Sequence, residues 1–221
     1  VIEVIFVIIY FLVRLTDKTF RIGAKDFFCL GAEALLGTAA AGIVIVPAIV
    51  CILGSPRFGE SYSLSNIMQM LFYEIPWRYA RILQSVFTVP DTQGYTNVFP
   101  DFRGEYPEGS RWSSQAAYLP LFGMSGVVAY FCTHKKSWQK KLIAICAVIA
   151  LIPILNSIFS LGRTTYYARW LFAPVLIMSV MTALALENSP EKFRLGIVIN
   201  GAVIIAIAVF TLIFPMEKLS L

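Results

Sequence analysis

The residues whose types and spacing could do chemistry gather in the run GRTTYYARW, residues 162–170. Tyr166, Tyr167 and Trp170 bracket Arg169, Arg163 lies just upstream, and about sixteen uncharged residues follow before Glu187. Tyrosine and tryptophan settle at membrane–water boundaries because their rings are apolar and their tips polar. An arginine at the mouth of an apolar span can hold its guanidinium at headgroup level, where phosphate is the natural partner. Asn156 lies three residues after Pro153, on the same side of the span that precedes this run. Asn156, Arg163, Tyr166, Tyr167 and Arg169 thus form a candidate rim for a lipid phosphate. The alternative is anchoring to bulk headgroups, with Asn156 hydrogen-bonding between helices.

Two other sets carry weaker signals. Glu33 stands about six residues into an apolar span, roughly 9 Å along a helix. A carboxylate at that depth is expected to face protein, with Gly37 and Ala40 on the same face under a neighbouring helix. It pairs with a basic residue of another span, or it couples a proton or ion. The second set lies between the spans. Trp77, Arg78, Arg81, Asp91, Asp101 and Trp112 belong to an aromatic, acidic stretch suited either to a carbohydrate acceptor or to docking at the interface. A catalytic base on that side has to be a carboxylate, because the single histidine, His134, falls in a lysine-rich turn. There is no nucleophile elbow, no phosphate loop, no zinc-protease motif and no His/Cys cluster, and no metal site is expected.

The elements that position these residues are membrane helices. Of 221 residues, 58% are hydrophobic and 14% charged, and the mean hydropathy is +0.74. Soluble domains carry about 25% charged residues, so lipid is expected to solvate much of this surface. The formal charge of +5 does not indicate nucleic acid, because the basic residues sit in turns between apolar runs. Cys29, Cys51, Cys132 and Cys146 lie in or beside apolar runs without a CxxC pair, and are expected to be buried apolar residues. The chain opens at Val1 inside an apolar run, which is expected of an internal fragment of a larger polytopic protein.

The apolar pattern predicts an all-α protein of about six transmembrane helices, the first cut short, at 1–13, 27–53, 116–133, 142–161, 169–186 and 195–214. Three parts result: 1–53 with two spans, a long loop at 54–115, and 116–221 with four spans. Within the loop, 65–74 reads as a short helix, 77–87 as an amphipathic helix lying in the interface plane, and 91–109 as turns. The first, third and fifth connections carry four, four and two basic residues. They fall on one side by parity, which makes that side cytoplasmic and the 54–115 loop extracytoplasmic. Pro47, Pro120, Pro153 and Pro174 are expected to kink four spans. Ala34, Thr38 and Gly42 form a small-residue stripe for close helix packing. Ser189, Pro190 and Glu191 read as the start of the last helix.

From Trp112 onward, WSSQAAYLPLFGMSGVVAYF, LIPILNSIFSL and YYARWLFAPVLIMSVMTALALE resemble the YfhO-type bacterial membrane proteins. GTAAAGIVIVPAIVCILGSPR resembles the preceding span of that family. The resemblance implies a large plasma-membrane protein similar to the C-type glycosyltransferase fold. Such a protein transfers a sugar from a polyprenyl-phosphate donor to a cell-envelope glycopolymer on the outer face. The family's catalytic carboxylate sits in the first outward loop, which no residue here matches, so the catalytic residue is unknown. Transfer of this kind needs a carboxylate base and a stabilised phosphate leaving group, and a divalent cation can assist it. A flippase or secondary transporter of lipid-linked sugar, and a scaffold for an envelope-synthesis complex, are the alternatives.

Overall fold

The computed structural model describes residues 2–53, 70–73, 76–89, 99, 117–120, 123–134, 136–162 and 166–213. The described residues are helical, with no strand among them. The helices are α1 (Ile2–Leu15), α2 (Ala24–Leu53), α3 (Trp77–Phe87), α4 (Gly123–Thr133), α5 (Trp138–Leu151), α6 (Pro153–Ser157), α7 (Phe172–Asn188) and α8 (Pro190–Ile213). Short 3-10 turns at Ile158–Ser160 and Arg169–Leu171 follow α6 and precede α7.

Among the described residues three helical stretches are long and apolar enough to cross a membrane: Ala24–Val44, Arg169–Asn188 and Pro190–Ile213. A fourth passage arises if Trp138–Leu151 and Pro153–Ser160, bent by 101°, count as one. The chain is therefore compatible with a multi-pass membrane protein. α2 runs for 30 residues, about 45 Å, and its Ala24–Val44 stretch buries nothing. A long, mainly apolar helix that buries none of its surface is compatible with contact to lipid along its length.

The prolines do not act alike. α2 runs through Pro47 without a break. Pro120 stands in the turn before α4, where the Gly123 N–H donates to its carbonyl at 3.1 Å. The 116–133 stretch consequently holds a helix of only 11 residues, about 16 Å, well short of a bilayer core of about 30 Å. Pro174 falls in the first turn of α7, where a missing N–H costs little. Pro153 ends a helix outright. The preceding Ile152 is extended (φ −109°, ψ 115°) and Pro153 opens α6, because its ring disfavours helical backbone in the residue before it. At the far end of α6, Leu161 (φ 56°) and Gly162 (φ 76°) turn left-handed, and the Gly162 N–H donates to the Ser157 carbonyl at 2.9 Å.

The core lies where α4 packs between α7 and α8. A Cβ on Gly126 would meet the Thr182 side chain at 2.4 Å, and one on Gly196 the Ser125 carbonyl at 2.1 Å. The Thr182 hydroxyl donates to the Gly123 carbonyl at 2.7 Å, and Asn200 Nδ2 to Ser125 Oγ at 3.3 Å. Gly196 lies by Ser125 and Ala129 while Asn200 reaches Ser125, so α4 and α8 run antiparallel. The end of α4 and the start of α8 therefore share one end of the bundle. The small residues that packing uses are thus Gly126 and Gly196, while Gly37 and Gly42 on α2 have no neighbour within 4 Å. α1 joins through Tyr10, whose ring meets Trp138 edge-on at 5.4 Å.

Two local signals hold their places. α8 begins at Pro190 behind Ser189, although it is the Ser189 carbonyl that receives the Lys192 N–H. Ser137 caps α5, accepting the Lys140 N–H, so the lysine-rich turn is already helical from Trp138. Cys146 is buried, but Cys29, Cys51 and Cys132 are exposed, since they project from helix faces that no described residue covers.

Candidate functional site

At the end of the bundle opposite the lysine-rich turn, a tyrosine cluster closes around an arginine. Tyr73 meets Tyr79 and Tyr166 edge-on, with centroids 5.3 Å and 5.5 Å apart. The Arg78 guanidinium lies 5.4 Å from the centre of the Tyr73 ring and 5.0 Å from that of Tyr166. A cation over a ring face gains from the ring quadrupole, and more so when water is excluded. Tyr73 is buried. Its N–H donates to the Tyr79 hydroxyl at 3.1 Å and its own hydroxyl to the Ala150 carbonyl at 2.8 Å. Burial pushes the Tyr73 hydroxyl well above the usual tyrosine range, so it stays neutral and acts as a donor.

Asn156 sits beneath this cluster, 1% exposed. Its side-chain oxygen accepts the Tyr167 N–H at 2.8 Å. The break at Pro153 is what allows this. Turning α6 away from α5 aims Asn156 at the strand of chain leading into Arg169–Leu171, and leaves Ala150 near Tyr73.

An apolar cavity of about 270 Å³ opens beside the cluster, between α3, α5 and α7. Tyr79, Asn156 and Tyr166 stand at its polar margin, and Ile82, Val86, Cys146, Ala147, Leu171 and Met178 are among its walls. Trp170, stacked on Phe159 at 4.6 Å, also lines it. Trp170 is fully buried, and its indole N–H has no acceptor among the described residues. A buried donor without a partner is costly, and an acceptor on a bound molecule would relieve that cost.

The sequence-predicted rim is only partly assembled. Asn156, Tyr166 and Tyr167 converge. Arg169 does not join them: its side chain is exposed at the start of the 3-10 turn, with no ion pair to any described residue. Arg163 lies outside the described residues. The cation that reaches the tyrosines is Arg78, from the helix expected to lie in the interface plane. α3 does not lie there with its polar face to water. Arg81, Gln84 and Ser85 are its buried residues, and Leu83 is exposed. Ser85 accepts the Ala117 N–H through its carbonyl at 3.2 Å, tying α3 to the segment before α4. Trp77 stacks on Phe99 at 6.2 Å and both rings approach Phe210 of α8. Part of the aromatic surface expected to face outward is thus turned into the protein. Asp91, Asp101 and Trp112 lie outside the described residues.

Glu33 is exposed on α2, and the helix expected to cover it is not among the described residues. His134 stacks on Tyr130 at 4.1 Å at the opposite end, as an ordinary packed residue. Among the described residues no three His, Cys, Asp or Glu side chains lie together to hold a metal ion. Sequence reasoning places Arg78 with the acceptor loop and Trp170 at the membrane boundary, and singles out neither for the tyrosine cluster; Tyr73 is not among its candidates at all. The local sequence does not show that they converge, because 77 positions separate Tyr73 from Ala150 and a helix break brings them together.

No protein-family model, no curated protein and no solved structure matches this chain.

Proposed function

We propose that this chain is part of a bacterial plasma-membrane glycosyltransferase that takes a sugar from a polyprenyl-phosphate donor and passes it to a cell-envelope glycopolymer on the outer face. The observation that carries the reading is the apolar cavity opening beside Arg78 and its tyrosines. An isoprenoid chain fits an apolar cleft, and its phosphate fits a guanidinium held against Tyr166, one of the cleft's lining residues. The resemblance to YfhO-type proteins supports the same donor. In this reading the six apolar stretches are six passages and the 54–115 stretch is extracytoplasmic, as the basic connections at the opposite end favour.

Within that chemistry the chain's own residues have distinct tasks. The cavity walls bind the isoprenoid and exclude water from the phosphate. Arg78 stabilises the phosphate as it leaves and gathers charge. Tyr166 and the neutral Tyr73 hold the guanidinium in place, Tyr79 holds Tyr73, and Asn156 holds Tyr167. No described residue is assigned the role of base.

The test is sugar transfer in membranes that contain the protein, with labelled polyprenyl-phosphate sugar as donor. Arg78→Gln is expected to lower transfer at limiting donor about tenfold or more, the worth of a charge-assisted hydrogen bond. Undiminished transfer by that variant, at equal protein level, rules the site out. The broken helix at Pro153 favours a second reading, a lipid-linked-sugar flippase, since discontinuous helices mark transport sites. Movement of labelled donor across sealed vesicles without a new glycosidic bond would select it.

A further inference from the structure

The opposite end of the bundle carries a second surface of different character. The connection from α1 to α2 and the start of α5 are docked on each other there. Lys141 Nζ donates to Thr16 Oγ1 at 2.8 Å. The Arg14 guanidinium lies between two rings, 4.7 Å from the centre of Phe20 and 4.8 Å from that of Trp138. Two stretches more than a hundred residues apart thus present their cations as one patch.

The charge of this patch is uncompensated. Residues 14–26 and 136–141 hold seven cations, Arg14, Lys18, Arg21, Lys25, Lys136, Lys140 and Lys141, against Asp17 and Asp26. Both carboxylates are occupied within their own segment. Asp17 takes the Thr19 N–H and hydroxyl at 3.1 Å and 2.9 Å and pairs with Arg14 at 3.4 Å. Asp26 takes the Gly23 N–H at 3.2 Å. Lys140 is turned back onto the Phe131 carbonyl. Lys18, Arg21, Lys25, Lys136 and Lys141 are exposed and enter no ion pair with a described residue. Apolar helix faces border the patch: Leu12 and Leu15 on α1, and Phe27 and Phe28 on α2, are all more than half exposed.

Exposed cations above bare apolar helix faces are the two halves of a phospholipid site. We propose that this patch holds the headgroup phosphate of an anionic phospholipid, with Lys18 and Lys141 as the principal contacts and the acyl chains along α1 and α2. Charge complementarity selects an anionic lipid over a zwitterionic one, because the latter brings its own cation to a surface that already has an excess. The docking of Thr16 on Lys141 makes the surface a defined site, since it brings the segment that carries Lys18, two residues on, against the start of α5.

The experiment is native mass spectrometry of the purified protein taken from bilayers of mixed phosphatidylglycerol and phosphatidylcholine. The protein is expected to retain phosphatidylglycerol in preference, and to lose it as salt is raised. Each neutralised cation is expected to weaken retention about fivefold, so Lys18→Gln with Lys141→Gln retains far less. Lys192→Gln, on α8 at the same end, is expected to leave retention unchanged. Equal retention of both lipids, full retention by the double variant, or equal loss in Lys192→Gln each overturns the proposal. Should the double variant melt early, Lys18→Arg with Lys141→Arg decides: retention at the parent level supports the site, and loss with an intact fold refutes it.

Discussion

The side-chain oxygen of Asn156 accepts the backbone N–H of Tyr167 at 2.8 Å, tying α6 to the segment that leads into α7. This bond fixes the far side of the break at Pro153 to the segment that carries Tyr166 into the arginine cluster. Buried at 1% exposure, Asn156 has no water to replace a lost partner.

Asn156→Ala should therefore destabilise the protein by about 1–3 kcal/mol, the cost of leaving a buried N–H unsatisfied. The measurement is thermal unfolding in detergent. Asn156→Asp keeps the acceptor oxygen but buries a charge, and should be no better. A melting temperature for Asn156→Ala equal to that of the parent would show that the hydrogen bond contributes nothing.

Tyr73 makes stability depend on pH at the alkaline end. Its folded hydroxyl titrates above the usual value, whereas in the unfolded chain it titrates near 10. Above about pH 10 the unfolded state loses the proton first, so unfolding is favoured progressively as pH rises toward the folded value. The contribution is fully present below pH 10. Tyr73→Phe removes this slope and also the bond to the Ala150 carbonyl, at about 1 kcal/mol near neutral pH. Unfolding curves of the two proteins from pH 8 to 11 should converge; parallel curves would place the alkaline sensitivity elsewhere.

The α4 contacts with α7 and α8 rank two glycines. A methyl on Gly196 meets the Ser125 backbone carbonyl, and one on Gly126 meets the Thr182 side chain. Backbone cannot rotate aside, so Gly196→Ala should part the two helices and cost about 1–3 kcal/mol or more. Gly126→Ala should cost less in a Thr182→Ser background, which removes the methyl nearest that Cβ. Melting temperatures of the single and double variants read the difference, and an unaffected Gly196→Ala would mean α4 and α8 are not so close.

Ala147 lines the cavity without a polar role. Ala147→Phe should fill much of the space while leaving Arg78 and the tyrosines untouched. Photocrosslinking to a long-chain polyprenyl-phosphate probe is expected to fall at least tenfold, an estimate set by losing several buried methylenes at about 0.8 kcal/mol each. A short-chain phosphate probe should be unaffected. Equal labelling of Ala147→Phe and the parent by the long probe would leave the cavity without a ligand.

Composition and apolar runs alone pointed to a helical chain with α2, α7 and α8 long and apolar enough to cross a membrane, because hydropathy is additive along the chain and needs no partner. Local stereochemistry likewise marked Pro190 as a helix start and Pro153 as a point where a helix must yield, since both effects act within one turn of backbone. The tertiary structure alone decided how Pro153 yields, by a 101° bend that separates α5 from α6. It also decided which arginine meets Tyr166. Arg169 is the neighbour in sequence, but Arg78 is the neighbour in space. A guanidinium's partner is set by which rings surround it once the helices pack, and residue order does not encode that distance.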